Sequence, residues 1–403
     1  MVRGLLSRDA AVAPFQSGRI PQLVFGAGVV EQLAERSLQW GRRVLLITGA
    51  HSFDQLDERY SIVRLIEHSS LELVEHLRVS GEPSPQQVDA IVEQLQQQPI
   101  EVVIAIGGGS VLDAAKCVAG LLPSGDSVME YLEGVGRGKQ HNGQTIPFIA
   151  VPTTAGTGSE ASMNGVLSDP TAGFKKSFRH PSLTPQIALI DPDMLATLSP
   201  EKIAANGCDA LSQLLESYLS TVATPFTDSL AEQAIALMGS GLLPLWESQG
   251  QDAAARAAVA YGSMISGITL ANAGLGVVHG LAGPIGGLYP IPHGVVCGTL
   301  LGAANRANVK ALLERAPDTV GVKKYGMIGQ LMGFCKEGMD QQSCLQRVVD
   351  GLIERVDQFE IPRLGAYGID EQEIPKILHC SDQKANPILL TEKEFGGILR
   401  ARI

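Results

Sequence analysis

Val102-Val103-Ile104-Ala105-Ile106-Gly107-Gly108-Gly109-Ser110-Val111-Leu112-Asp113-Ala114-Ala115-Lys116 is the most informative run in this chain. Its first five residues are apolar without alternation, as in a strand of a parallel sheet covered on both faces. Three glycines then close the strand and open a helix. They let the backbone turn sharply and bring bare N–H groups, at the positive end of that helix, against a phosphate. Ser110 is expected to cap the helix, with Asp113 three residues on reaching back in a capping box.

The same grammar extends outward. Arg43–Thr48 reads as a strand, Asp54–Ser69 as a helix and Leu71–Leu77 as a strand. Ser84 and Pro85 open a helix that runs to about Gln97. Glu101–Ile106, Phe148–Val151 and Ile187–Ile190 supply further strands, and Ser110–Leu121 a further helix. Strands alternating with helices predict a parallel α/β sheet. A second cradle, Pro152-Thr153-Thr154-Ala155-Gly156-Thr157-Gly158-Ser159-Glu160, follows the strand at Phe148 and suits ligand contact at a doubly wound crevice. Gly26-Ala27-Gly28 imitates a dinucleotide fingerprint, but Glu31 stands where its third glycine belongs, so it reads as a structural turn.

Beyond Asp191-Pro192-Asp193 the pattern changes to Ala/Leu-rich helical periods: Lys202–Leu219, Thr227–Met238, Ala253–Ala271 and Cys344–Phe359. The boundary between an α/β domain, 1–192, and an all-helical domain, 193–403, is therefore placed there. At 403 residues the chain is long enough for two cores. A net charge of −11 argues against a nucleic-acid partner. Apolar runs are strand-length, too short to span a bilayer, and the N-terminus, with Arg3 and Arg8, lacks the apolar stretch of a signal peptide. Six cysteines without CxxC pairs read as reduced, buried thiols of a cytoplasmic protein.

The second half also carries a set of metal-ligand types. Asp209 and Gln213, four apart, share a helix face. His279 and His293 lie in apolar, Gly/Pro-rich surroundings. Brought together, a carboxylate and two imidazoles would bind Zn2+ or Fe2+ with positions left for substrate. On residue types alone, two core histidines and a surface aspartate account for the same letters.

The motifs Gly107–Lys116, Pro152–Glu160, Lys176 five residues before Pro181, Leu189–Pro192, Gly207–Leu211, Gly276–Gly280 and Pro292–Gly294 occur in an order that resembles the iron-containing (group III) alcohol dehydrogenase family, across essentially the whole chain. The resemblance implies an α/β N-terminal domain with a Rossmann-like parallel sheet and an all-α C-terminal domain, as in dehydroquinate synthase-like proteins. It implies an NAD(P)-dependent alcohol dehydrogenase or aldehyde reductase, a homodimer or larger, acting on small molecules without membrane or nucleic-acid partners. The implied cofactor residues are Gly49, Ser52, Gly107, Gly108, Gly109, Ser110, Asp113, Thr153, Thr154, Thr157, Lys176 and Leu183. The implied metal set, for Fe2+ or Zn2+, is Asp209, Gln213, His279 and His293, with Asp209, His279 and His293 carrying the catalysis.

The chain departs from the family at two places. Gln213 stands where the family has a histidine ligand, and Gly283 where many members have a histidine beside the nicotinamide. Three arrangements follow: a metal held by Asp209, His279 and His293 with weak help from Gln213; a loosely held metal; or metal-free hydride transfer as in maleylacetate reductases. His180 is a candidate proton relay. Gly49 occupies the position where NAD users tend to carry Asp, so no carboxylate repels a 2′-phosphate; with His51 and Ser52 alongside, NADP is expected over NAD. Rival readings are a dehydroquinate-synthase-like sugar-phosphate enzyme and an inactive nucleotide-binding relative.

Overall fold

The structure, a computed structural model, describes residues 12–50 and 52–403; Arg3, Arg8 and His51 lie outside them. Six parallel strands form one sheet: β1 (Gln22–Phe25), β2 (Arg43–Gly49), β3 (Glu72–Val79), β4 (Val102–Gly107), β5 (Phe148–Pro152) and β8 (Ile187–Ile190). Their order is β1-β8-β5-β4-β2-β3. Side chains alternate strictly between two cores. Val44, Leu46, Ile104, Ile106, Ile149 and Val151 face one, and Leu45, Ile47, Val103, Ala105, Phe148 and Ala150 the other. This is why the central strands lack a polar face.

Around the sheet lie α1 (Leu33–Ser37), α2 (Phe53–Tyr60), α3 (Ile62–Glu67), α4 (Pro85–Leu95) and α5 (Gly109–Leu121). The single helix expected over Asp54–Ser69 is thus two. Ser61, at φ 51°, breaks it, and Asp57 secures the break by accepting the Val63 N–H at 2.7 Å. β2 leads to β3 on one side while β4 lies on the other. The order reverses between β2 and β4, and their carboxyl ends, Gly49 and Gly107, open a crevice there. An antiparallel hairpin, β6 (Asn164–Asp169) and β7 (Phe174–Arg179), was not anticipated. Gly26 and Gly28, both at positive φ, make a turn in which Asp191 accepts the Val30 N–H at 3.2 Å.

The second half is helical: α6 (Pro200–Leu219), α7 (Pro225–Glu247), α8 (Ala253–Ala273), α9 (Val277–Leu288), α10 (His293–Arg315), α11 (Val320–Leu331), α12 (Gln341–Gln358), α13 (Ile374–His379) and α14 (Glu392–Arg400). Local sequence sets several starts. Ser199, Asp252 and Asp340 each accept an N–H of the first turn, and Thr224 and Thr391 sit in capping boxes. α7 runs nine residues past the expected Met238, carrying Pro244 within it. The stretches around His279 and His293, read as bent by Gly and Pro, are helical: His279 lies in the first turn of α9 and His293 opens α10.

The expectation of six buried thiols is corrected. Cys335 and Cys344 form a disulfide, and Cys380 is exposed; Cys117, Cys208 and Cys297 are free and buried. After α11 the chain doubles back, with the N–H groups of Phe334 and Cys335 both donating to Gly329 O, and this brings the two sulfurs together. Among the described residues no single helix is long and apolar enough to cross a membrane; α8 and α9 reach that length and apolarity only as a pair bent by 99°.

Candidate metal and cofactor site

Asp209 and Gln213 lie one turn apart on α6, and Glu216 follows on the same face. All three are buried, so Asp209 is not a surface aspartate. α9 brings His279, whose Nε2 lies 3.2 Å from Asp209 Oδ1, and α10 brings His293, whose Nε2 lies 3.8 Å from the same oxygen. Glu216 fixes the first imidazole: its Oε2 lies 2.7 Å from His279 Nδ1, and its Oε1 accepts the Val278 N–H at 2.6 Å. With Nδ1 so engaged, Nε2 must face Asp209, the arrangement by which a carboxylate orients a metal-binding histidine. The side chain of His293 is 24 % exposed, against 7 % and 2 % for His279 and Asp209, so open space lies on its side.

Four donors converge: Asp209, His279, His293 and Cys297 offer ligand atoms all within 4.8 Å of one another. The residues fit a divalent cation. Gln213 is not turned to serve it. Its Nε2 donates to Asp209 Oδ1 at 3.0 Å, and its Oε1 faces Ser266 Oγ at 2.6 Å. The expected weak ligand instead holds the aspartate.

Burial opposes charge throughout this cluster. At Asp209 it is outweighed by His293 and His279, which hold the carboxyl at about 2. At His279 it is outweighed by Cys297, Glu216 and Asp209, and the imidazole rises well above its ordinary value. At His293 burial prevails, with Lys175 and His279 adding to it, and the ring falls to about 4.

At the sheet's crevice the two cradles pack on each other. A Cβ on Gly108 would stand 3.1 Å from Thr154, and one on Gly109 would stand 2.7 Å from Thr157. Thr153 N donates to Gly107 O at 3.0 Å. Thr154 and Thr157 remain half-buried beside the first turn of α5. Gly49 lies against Ser52, whose hydroxyl would stand 3.0 Å from an added Cβ.

Three expected cofactor residues are placed as follows, and the expected cap at Ser110 and Asp113 is corrected. Asp113 makes no capping box: α5 is capped by Gly108 with no side-chain bond, and Ser110 is inside the helix. Asp113 is buried and accepts from Ser159 Oγ at 2.5 Å and Val166 N at 3.1 Å, tying α5 to the second cradle and the hairpin. Leu183 lies in the core, where its Cδ2 would stand 2.5 Å from a Cβ on Gly120. Lys176 is exposed, whereas Lys175 is turned inward, 9 % exposed, pairing with Glu82 at 2.9 Å beside α9. Alternate strand residues face opposite sides, so one position moves the ammonium across the hairpin.

His180 accepts the Ser182 N–H as a cap and packs on His141 with ring centroids 4.9 Å apart. A Cβ on Gly283, one turn beyond His279, would meet nothing within 4 Å, so that position is open. Glu216, Lys175 and Cys297 are the site residues that sequence reasoning did not single out.

Comparison with known proteins bears on this arrangement. The family model described as iron-containing alcohol dehydrogenase matches residues 21–192, and that for the C-terminal part of the Fe-containing alcohol dehydrogenase family matches residues 203–403. The chain is 28 % identical over 388 residues to the NAD-dependent methanol dehydrogenase of Bacillus methanolicus, covering 94 % of this chain and 97 % of that one. It is 27 % identical over 392 residues to the NADPH-dependent butanol dehydrogenase of Clostridium saccharobutylicum, covering 93 % and 95 %. The solved structure of an archaeal halo-thermophilic Red Sea brine pool alcohol dehydrogenase bound to NZQ superposes with a TM-score of 0.87 at 25 % identity, covering 97 % and 99 %.

Proposed function

The chain belongs to the iron-containing alcohol dehydrogenase family, and from that premise we propose how its site is used. It is an NAD(P)-dependent oxidoreductase that moves a hydride between a nicotinamide and a small alcohol or aldehyde. We read residues 1–192 as the nucleotide domain and 193–403 as the metal and substrate domain. The observation that carries the metal-assisted reading is the convergence of His279 Nε2 and His293 Nε2 on Asp209 Oδ1, at 3.2 and 3.8 Å.

In this reading Asp209, His279 and His293 hold a divalent cation, which when bound supplies Lewis acidity toward an alcohol or carbonyl oxygen. Glu216 keeps His279 in the tautomer whose Nε2 faces inward. His293, the ligand on the exposed side, and the open position at Gly283 set where a small substrate enters. Gly107, Gly108, Gly109 and Ser110 present N–H groups of the first turn of α5 to a diphosphate. Thr154 and Thr157 flank it, and Lys175 takes the role expected of Lys176. Gly49 and Ser52, with no carboxylate at the end of β2, favour NADP over NAD. The cytoplasm fits four free thiols among six cysteines, and the family resemblance favours a homodimer or larger.

The test is a screen of NADPH and NADH oxidation across small aldehydes after chelation, with Fe2+, Zn2+ or Mn2+ returned singly. Activity should need metal, and Asp209→Ala should lose both metal and turnover by at least roughly a hundredfold. Full activity in a metal-free Asp209→Ala enzyme overturns the metal-assisted reading. A tenfold lead of NADH over NADPH in kcat/KM overturns the cofactor preference.

A further inference from the structure

Cys297 lies on α10 four residues after His293, so the two side chains share a helix face. Its Sγ stands 3.6 Å from His279 Nε2 and 3.6 Å from His293 Nε2, and it is fully buried. Resting on the reading of Asp209, His279 and His293 as ligands, we propose that Cys297 is the fourth, making an Asp-His-His-Cys site that prefers Zn2+.

The edge lengths support this. With zinc–sulfur bonds of about 2.3 Å and zinc–nitrogen or zinc–oxygen bonds of about 2.0–2.1 Å, a tetrahedron has N–S edges of roughly 3.6 Å and N–O edges of roughly 3.3 Å. The N–S distances here are 3.6 and 3.6 Å, and the N–O distances 3.2 and 3.8 Å. These four edges thus fall near ligand spacing, and all four donors lie within 4.8 Å of one another. Cys208, the other buried thiol of this part of the core, lies on α6 beside Asp209 and has no such nitrogen partners among the described residues. Filling core volume does not require two imidazole nitrogens at 3.6 Å.

The amide of Gln213 explains why the fourth donor comes from elsewhere. It is spent on Asp209 Oδ1 and Ser266 Oγ. It acts as a positioning residue for the carboxylate. Thiolate shifts the site's preference toward softer ions, and imidazole with carboxylate keeps it suited to zinc. On binding, the thiol proton passes to solvent and an S–Zn bond forms, with no change of oxidation state. Zn2+ accepts a fifth donor, so four protein ligands still admit a substrate oxygen.

Cobalt gives a readout independent of turnover. The full-length chain is stripped with chelator and titrated with Co2+ and, separately, with Zn2+ against a chromophoric chelator. The wild type should bind one equivalent of Co2+ with a thiolate-to-cobalt charge-transfer band in the near ultraviolet. Cys297→Ser should keep an equivalent but lose the band, and Zn2+ affinity should fall at least tenfold. Gln213→Ala should keep the band, and Asp209→Ala should lose the equivalent. X-ray absorption on wild-type zinc protein should show one sulfur at about 2.3 Å, a result that does not depend on a variant folding. One bound equivalent without the band, or without the sulfur, overturns Cys297 as a ligand while leaving Asp209, His279 and His293 in place. No bound equivalent in the wild type overturns the three-ligand reading and this proposal with it.

Discussion

Glu160 is the residue whose surroundings make the sharpest demand. It ends the second cradle, is 2 % exposed, and no described side chain pairs with its carboxyl. Burial pushes its pKa from 4.5 up to about 7, outweighing a backbone hydrogen bond and the Lys116 ammonium. A carboxyl raised on folding contributes stability that is fully present below its unfolded value near 4.5 and is lost as pH climbs through 7. Such a shift corresponds to roughly 3 kcal/mol. Glu160→Gln removes the titration, so its stability relative to wild type should improve by about that amount between pH 4 and pH 8.5 in urea unfolding. A difference that does not change with pH refutes it. Single residues were unequally legible. Asp209, His279 and His293 stood in short motifs. Glu216 lies in the helical run Lys202–Leu219 and shares the helix face of Asp209, at two turns' distance, a spacing that could have revealed it. Cys297 had a comparable signal, four residues after His293, but a cysteine without CxxC carried no metal pattern of its own.

Elements were readable where periodicity is long and misread where one residue changes the face. The order of strands and helices through the first half follows from unbroken apolar runs and caps. The break at Ser61 does not, since nothing in the composition of Asp54–Ser69 marks a left-handed residue. Lys175 and Lys176 differ by one step on β7, and only the packing of Lys175 against Glu82 and α9 shows which turns inward. The glycines of the two cradles also divide by role. Gly107, Gly108 and Gly109 lie at or near the start of α5, with Gly108 and Gly109 against Thr154 and Thr157. Gly156 faces Asn206 of α6, and Gly158 faces the backbone of Gly267 of α8. The latter pair joins the two halves. Gly109→Ala places a methyl 2.7–2.8 Å from Thr157, overpacking that costs about 1–3 kcal/mol. Thr157 must retreat at the first turn of α5. KM for the dinucleotide should rise at least roughly tenfold, with metal content unchanged and kcat moved less. An unchanged KM with lowered metal content would place the loop's role elsewhere.

At the scale of the whole molecule the two halves share apolar contact rather than merely abutting. Ala155, Ala161, Ala188 and Ile190, from the second cradle and β8, lie in the same buried cluster as Leu211, Leu215, Ile235 and Ile265 of the helices. Arg256 of α8, almost buried, bonds Asp193, the first residue past the boundary, at 2.6 Å and Gly250 O at 2.7 Å. Gly158, at φ 60°, lets its loop meet α8 where a Cβ would stand 2.5 Å from Gly267 Cα. A sheet half deprived of this cover would expose Ala188 and Ile190, so the halves should open together. Native-state hydrogen exchange in low urea tests this through two sets of amides: Val103–Ile106 in β4 and Leu211–Leu215 in α6. Both should report the same global opening free energy, within about 1 kcal/mol, rather than separate units. In Gly158→Ala the strained backbone and the clash loosen the junction. The two sets should then part, the sheet amides exchanging faster while the amides of α6 stay the more protected. Unequal protection already in the wild type, by more than roughly 3 kcal/mol, would mean that the shared cluster does not couple the halves.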